Sequence, residues 1–212
     1  VADLLQQRGH EVFTPTLTGL GERSHLLSGD ITLETHIMDV VSVFKWESIE
    51  DAVLCAHSYG GWPVSGALEY VHAQVSALVF LDAHLPQDGE RGIDKSNHRD
   101  EIEAAYRSGR ISTAQPSAAE FEVLPANRSW VDAMMTPQPI GASLQPIHLT
   151  GARERIATKL YIRTTGYPSH RFNECRDTAR KNGWRVYETS CGHDMMVDEP
   201  EQLAELLIDV AG

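Results

Sequence analysis

Apolar residues follow two rhythms along this chain. Ala52 to Ala56 and Ala77 to Leu81 are short unbroken apolar runs, the pattern of strands buried on both faces. Between them Val64, Ala67, Leu68 and Val71 recur at helical spacing, as the inward face of a helix does. The same spacing joins Leu33, His36, Ile37, Val40, Val41 and Phe44 behind Thr32, a good N-cap. His36 lies on that apolar face and reads as a packing histidine. Leu203, Leu206, Leu207 and Val210 repeat the pattern behind Asp198-Glu-Pro-Glu, a start signal of cap, early proline and acidic first turn. Val1, Leu4 and Leu5 form a shorter stripe that Gly9 stops, and residues 10–14 read as a strand. Further on, 159–165 and 184–189 read as strands, and 170–181 as a helix ended by Asn182-Gly183. Strand, helix and strand in alternation predict an α/β fold, a mostly parallel sheet flanked by helices.

Residues 83–156 lose this regularity. They hold Pro86, Pro116, Pro125, Pro137, Pro139 and Pro146, with short helical stretches at 100–107 and 117–124. So long an insertion between two sheet strands is usually functional. We read 83–156 as a helical cap inserted into one domain whose core is 1–82 and 157–212. Trp130, Met134, Met135, Ile140 and Leu144 are expected as apolar pocket walls, and packing of the cap onto the body would use them equally well.

Composition narrows the partners. The 212 residues include 30 acidic and 18 basic side chains, a formal charge of −12, which disfavours nucleic acid and anionic membranes. A small organic substrate fits better; a homodimer is left open. Cys55, Cys175 and Cys191 form no C-x-x-C pair, so we expect reduced thiols, no structural zinc, and a cytoplasmic location. No apolar run approaches the roughly 18 residues of a membrane span, and no histidine pair has metalloprotease spacing. Gly19-x-Gly21 lacks the third glycine of a dinucleotide fingerprint, with Ser24 in its place.

The candidate chemistry centres on Ser58, at the corner between the strand at 52–56 and the helix that follows. Small residues at Ala56 and Gly60 allow a sharp turn and close packing. The hydroxyl then stands at a helix N-terminus, where free N–H groups stabilise an oxyanion. Ala56-His57-Ser58-Tyr59-Gly60 resembles the nucleophile elbow of the α/β-hydrolase family, G-x-S-x-G, with alanine for the first glycine. Over essentially its whole length the chain is similar to small esterases of that fold, akin to plant methylesterases and hydroxynitrile lyases. The likeness is strongest at Thr14-Pro-Thr-Leu-Thr-Gly-Leu-Gly-Glu-Arg-Ser-His-Leu, at the elbow and at Gly192-His193.

The resemblance implies a carboxylesterase that works through an acyl-enzyme without a cofactor or metal, on small esters. The order serine, acid, histidine makes His193 the base; His57 should point to the opposite side of the chain from Ser58. Many relatives carry the acid after the next-to-last strand, where this chain has Thr164-Thr-Gly-Tyr-Pro. Asp82, at the other strand end known to hold it in this fold, is preferred over Asp88, Glu174 and Asp177. Tyr59 N–H is the expected oxyanion donor. Cys191 reads as incidental. Against the family the chain begins inside the first helix, and a mid-sheet strand between 11–14 and 52–57 has no counterpart. We therefore expect an N-terminal piece of roughly 15 to 30 residues, carrying that strand and the second oxyanion donor. Cyanohydrin lyase chemistry is the alternative within the fold, but there a lysine closely follows the histidine, and here Asp194 and Met195 do. A non-catalytic ligand-binding homologue is the third reading.

Overall fold

The computed structural model describes residues 1–212. Helices α1 (Ala2–Gln6) and α2 (Leu33–Trp46) precede strand β1 (Ala52–His57), and α3 (Gly61–Val71) leads into β2 (Val75–Leu81). Between β2 and the next strand of the main sheet lie α4 (Arg99–Arg107), the two-residue strand β3 (Ser112–Thr113), α5 (Pro125–Met134), its partner β4 (Gln138–Pro139), α6 (Gly141–Leu144) and α7 (Ala152–Arg155). The chain closes with β5 (Thr158–Thr164), α8 (His170–Lys181), β6 (Arg185–Thr189), α9 (Met195–Asp198) and α10 (Pro200–Ala211). The main sheet has the order β1-β2-β5-β6, every neighbouring pair parallel. It is the fold class that the alternating pattern predicts.

Alternation along the central strands builds three layers. Leu78 and Phe80 of β2 and Tyr161 of β5 face a core with Ile37 and Phe44 of α2, Leu68 of α3 and Ala179 of α8. Their neighbours Val79, Leu81, Leu160 and Ile162 point to the other face and meet Leu203 of α10. Each fully buried aliphatic or aromatic side chain there contributes about 1.5–3 kcal/mol. Thr32 caps α2 in a reciprocal box with Thr35, satisfying free first-turn N–H groups.

Three expectations need correction. Residues 11–14 are not a strand, because no strand of the sheet lies beside them to complete a ladder. β1 is a strand but not a buried one: it pairs with β2 alone, only Ala56 is buried, and Cys55 is exposed. Its free edge faces a cavity of about 870 Å³ walled by Val12, Phe13, Phe44, Val53 and Leu207. Residues 117–124 form turns rather than a helix. Glu120 turns back onto the Ser117 N–H, and Glu122 adopts φ +57°, where an α-helix cannot continue.

Candidate active site

The parallel register brings strand ends together. His57 is opposite Leu81, and Leu81 opposite Ile162, so Ser58, Asp82 and Arg163 follow on adjacent strands. Ligands bind at this C-terminal edge in open parallel sheets. Ser58 and Asp82 hold φ of +51° and +40°, a region that costs a non-glycine residue of order 1–3 kcal/mol and marks functional corners. The elbow is clamped from above, since His84 N–H donates to the Ser58 carbonyl at 3.0 Å. The close approach falls on Gly61 rather than Gly60: a Cβ on Gly61 would lie 2.0 Å from the His84 carbonyl oxygen, whereas one on Gly60 meets nothing nearer than 3.9 Å.

Three of the predicted side chains form one hydrogen-bonded line. Ser58 Oγ lies 2.8 Å from His193 Nε2, and His193 Nδ1 lies 2.9 Å from Asp82 Oδ2. A carboxylate only accepts, so Nδ1 carries the ring proton and Nε2 is free to accept from the serine hydroxyl. Asp82 and His193 are both essentially inaccessible. Burial by itself would raise the Asp82 pKa, but the hydrogen bond and charge of His193, the Thr164 hydroxyl and Arg163 outweigh it and hold the carboxyl below its usual range.

Arg163 and Thr164 are neighbours of Asp82 that sequence reading missed. Arg163 Nη1 donates to Asp82 Oδ1 at 2.9 Å and Oδ2 at 3.2 Å, and Thr164 donates from its N–H at 3.1 Å and its hydroxyl at 2.7 Å. The rest of the guanidinium is satisfied by Asn173 Oδ1 at 2.8 Å and by the carbonyls of Thr164, Tyr167 and Ser169. The signal was present: an arginine directly after the apolar run Leu160-Tyr-Ile, still within the strand, must find a charged partner if the strand is buried.

Aromatic rings enclose the imidazole. Phe172 of α8 stacks on His193 at 5.1 Å, with Tyr167 at 4.8 Å and Phe121 at 5.1 Å. Phe121 also accepts the His193 N–H through its carbonyl at 2.9 Å. Just before it, Gly192 lies against the Glu122 carbonyl, where a Cβ would come within 2.1 Å. Residues of the 83–156 segment, between β2 and β5, thus rest directly on the histidine loop.

The other candidates lie elsewhere. His57 turns its Nε2–H to the His193 carbonyl at 3.1 Å, not to Ser58, and desolvation followed by the His193 charge holds it down at about 3. Asp88 accepts from Leu149 N–H, Glu174 pairs with Arg171, and Asp177 pairs with Arg176. Burial pushes the Cys191 thiol up. Tyr59 joins the elbow with its hydroxyl on His36. Of the expected pocket walls, Trp130 and Met134 are about three-fifths exposed, Ile140 is buried, Met135 packs beside Val123 and Val131, and Leu144 is half-buried. None lines the 870 Å³ cavity or the more polar 590 Å³ cleft beside His84 and Arg171. Donor atoms of His57, His193 and Asp194 lie within 4.8 Å of one another, but both His193 nitrogens are already engaged with Asp82 and Ser58.

Residues 1–206 match the model of the alpha/beta hydrolase family. The chain belongs to that family. This hydrolase is 36% identical over 220 residues to the carbendazim hydrolyzing esterase of Nocardioides sp. (strain SG-4G), with 97% of this chain and 90% of the relative covered. It is 23% identical over 232 residues to putative methylesterase 14, chloroplastic, of Arabidopsis thaliana, covering 98% of this chain and 66% of that one. Among solved structures, an extracellular alpha/beta-hydrolase from a Paenibacillus species superposes with a TM-score of 0.84 at 23% identity, covering 99% of this chain and 90% of that one. That last likeness is one of fold. No helix of the hydrolase is long and apolar enough to cross a membrane.

Proposed function

We propose that the chain is a carboxylic ester hydrolase that works through an acyl-enzyme on Ser58. The observation that carries this reading is the line Ser58–His193–Asp82, with contacts of 2.8 and 2.9 Å, in a chain whose relatives include esterases. His193 Nε2 takes the hydroxyl proton as Ser58 Oγ attacks the ester carbonyl. The carbonyl π pair moves onto oxygen, where the Tyr59 N–H stabilises it. Collapse of the tetrahedral intermediate expels the alcohol, which takes the proton from His193. Water then attacks the acyl-enzyme by the same route, releasing the acid and restoring Ser58. Asp82 holds the Nδ1–H tautomer and faces the imidazolium formed in each half. These steps move protons and an acyl group, so side chains and water suffice. Three free cysteines favour a cytoplasmic location, which subcellular fractionation tests.

The test is turnover of p-nitrophenyl acetate, with carbendazim as a second substrate, by wild type and Ser58→Ala at matched folded concentration. Turnover by wild type and its loss by at least about 10³-fold in the variant is the expected result. Full activity in Ser58→Ala would contradict the reading.

A further inference from the structure

One buried titratable group takes no part in these steps. His36 of α2 is fully inaccessible, yet both its nitrogens are engaged: Nε2 lies 2.9 Å from the Thr18 carbonyl and Nδ1 2.8 Å from the Tyr59 hydroxyl. A carbonyl only accepts, so Nε2 carries the ring proton. Nδ1 is then a bare acceptor, and the Tyr59 O–H donates to it. Thr18 is fixed in turn, its N–H donating to Asp39 Oδ2 at 2.6 Å and its hydroxyl to Oδ1 at 2.8 Å. Arg23 Nη1 reaches Asp39 Oδ1 at 3.1 Å and the Thr16 carbonyl at 2.8 Å. The same loop's Gly21 N–H donates to Thr136 Oγ1 at 3.0 Å. The distinctive segment around Thr18-Gly-Leu-Gly-Glu-Arg23 is therefore tied to Tyr59 at one end and to the 83–156 insertion at the other.

Tyr59 follows Ser58 in the tight turn Ser58–Gly60. A first-turn N–H has no partner inside its own helix, so its aim depends on what anchors the residue that carries it. Burial lowers the His36 pKa and raises that of Tyr59, keeping both in the neutral forms this hydrogen bond requires.

We infer that His36 is a positioning residue: by accepting the Tyr59 hydroxyl it fixes Tyr59 about the elbow and so aims the Tyr59 N–H at the oxyanion. The inference rests on the acyl-enzyme reading above. Its physical content is that an oxyanion donor acts through placement, and a displacement near 1 Å costs on the order of a hundredfold in rate.

Tyr59→Phe tests this, because it keeps the ring and removes only the hydroxyl. We expect kcat on p-nitrophenyl acetate to fall about tenfold with KM nearly unchanged. Affinity for a trifluoromethyl ketone, whose serine adduct carries the oxyanion, should weaken by the same factor. A merely structural role would lower the melting temperature and leave both readouts alone at matched folded concentration. His36→Asn retains an acceptor near the place of Nδ1 and should keep most of kcat. His36→Leu should lose as much as Tyr59→Phe, and the double variant no more than either single one. If His36→Leu fails to fold, Tyr59→Phe and His36→Asn still decide. An active wild type whose Tyr59→Phe form keeps kcat and ketone affinity overturns this inference alone. A wild type with no ester turnover overturns the esterase reading and this inference with it.

Discussion

At the residue scale, the decisive charge is one that the strand pattern hides. Arg163 sits where β5 should continue its aliphatic alternation, and it instead neutralises the buried Asp82 through Nη1. Removing one partner of a buried pair leaves the other charge desolvated. Arg163→Met should therefore lower unfolding stability by about 3–5 kcal/mol, measured by urea denaturation. The acid limb should move too. The Asp82 carboxyl is held below its usual range in the fold, so it contributes stability that is full above the unfolded pKa of about 3.9 and is lost as pH falls through the lower folded value. Without Arg163 the folded value rises, and acid unfolding should begin at higher pH than in wild type. The contact between Ser58 and His193 joins two positions whose local contexts stand out in the sequence, a strand-to-helix corner and a Gly-His loop. Asp82 needed the family's alternative placement, since which strand ends adjoin is a property of sheet order. His36 read as a packing histidine because an apolar face says nothing of the hydroxyl and carbonyl waiting opposite it.

At the element scale, residue pattern carried far where an element's own sequence sets its bounds. The run 170–181 is α8 to the residue, and the central strands β2 and β5 stand where the apolar runs fall. It failed where an element depends on a neighbour. Residues 11–14 have strand composition without a ladder, and Ala52 to Ala56 look buried although β1 has one free edge. At 117–124 side-chain and φ choices at Glu120 and Glu122 overrode helical spacing. The elbow separates two adjacent glycines in a way that can be measured. Gly61→Ala would drive a Cβ to 2.0 Å from the His84 carbonyl oxygen, so the clamp over Ser58 must shift, costing about 1–3 kcal/mol. Gly60 has φ −52° and its nearest new contact is 3.9 Å; Gly60→Ala should be neutral or stabilise by up to about 1 kcal/mol. Thermal melts of the two variants check the contrast.

At the scale of the whole molecule, the sheet and the insertion converge on one loop. The sheet's C-terminal edge supplies Ser58, Asp82 and Arg163, and the loop after β6 supplies His193. The insertion rests on that loop through the Phe121 carbonyl, and Asp198 of α9 accepts the Leu124 N–H at 2.9 Å and the Asn127 amide at 2.8 Å. The irregular segment 83–156 lies between β2 and β5, and its seat on the histidine loop was not legible in sequence, because short contacts between irregular segments leave no periodic trace. Phe172, Tyr167 and Phe121 ring His193 in a chain of formal charge −12; on the proposed esterase reading, uncharged esters should turn over faster than anionic ones of the same size in a direct comparison.

The most direct test of the whole account is labelling with a serine-directed fluorophosphonate, with the modified residue located by peptide mass spectrometry in wild type and His193→Ala. Stoichiometric modification of wild type at Ser58, with labelling slowed by at least about 10³-fold without the imidazole, is the expected result. Modification at another serine, or equal labelling of the two proteins at Ser58, would contradict it.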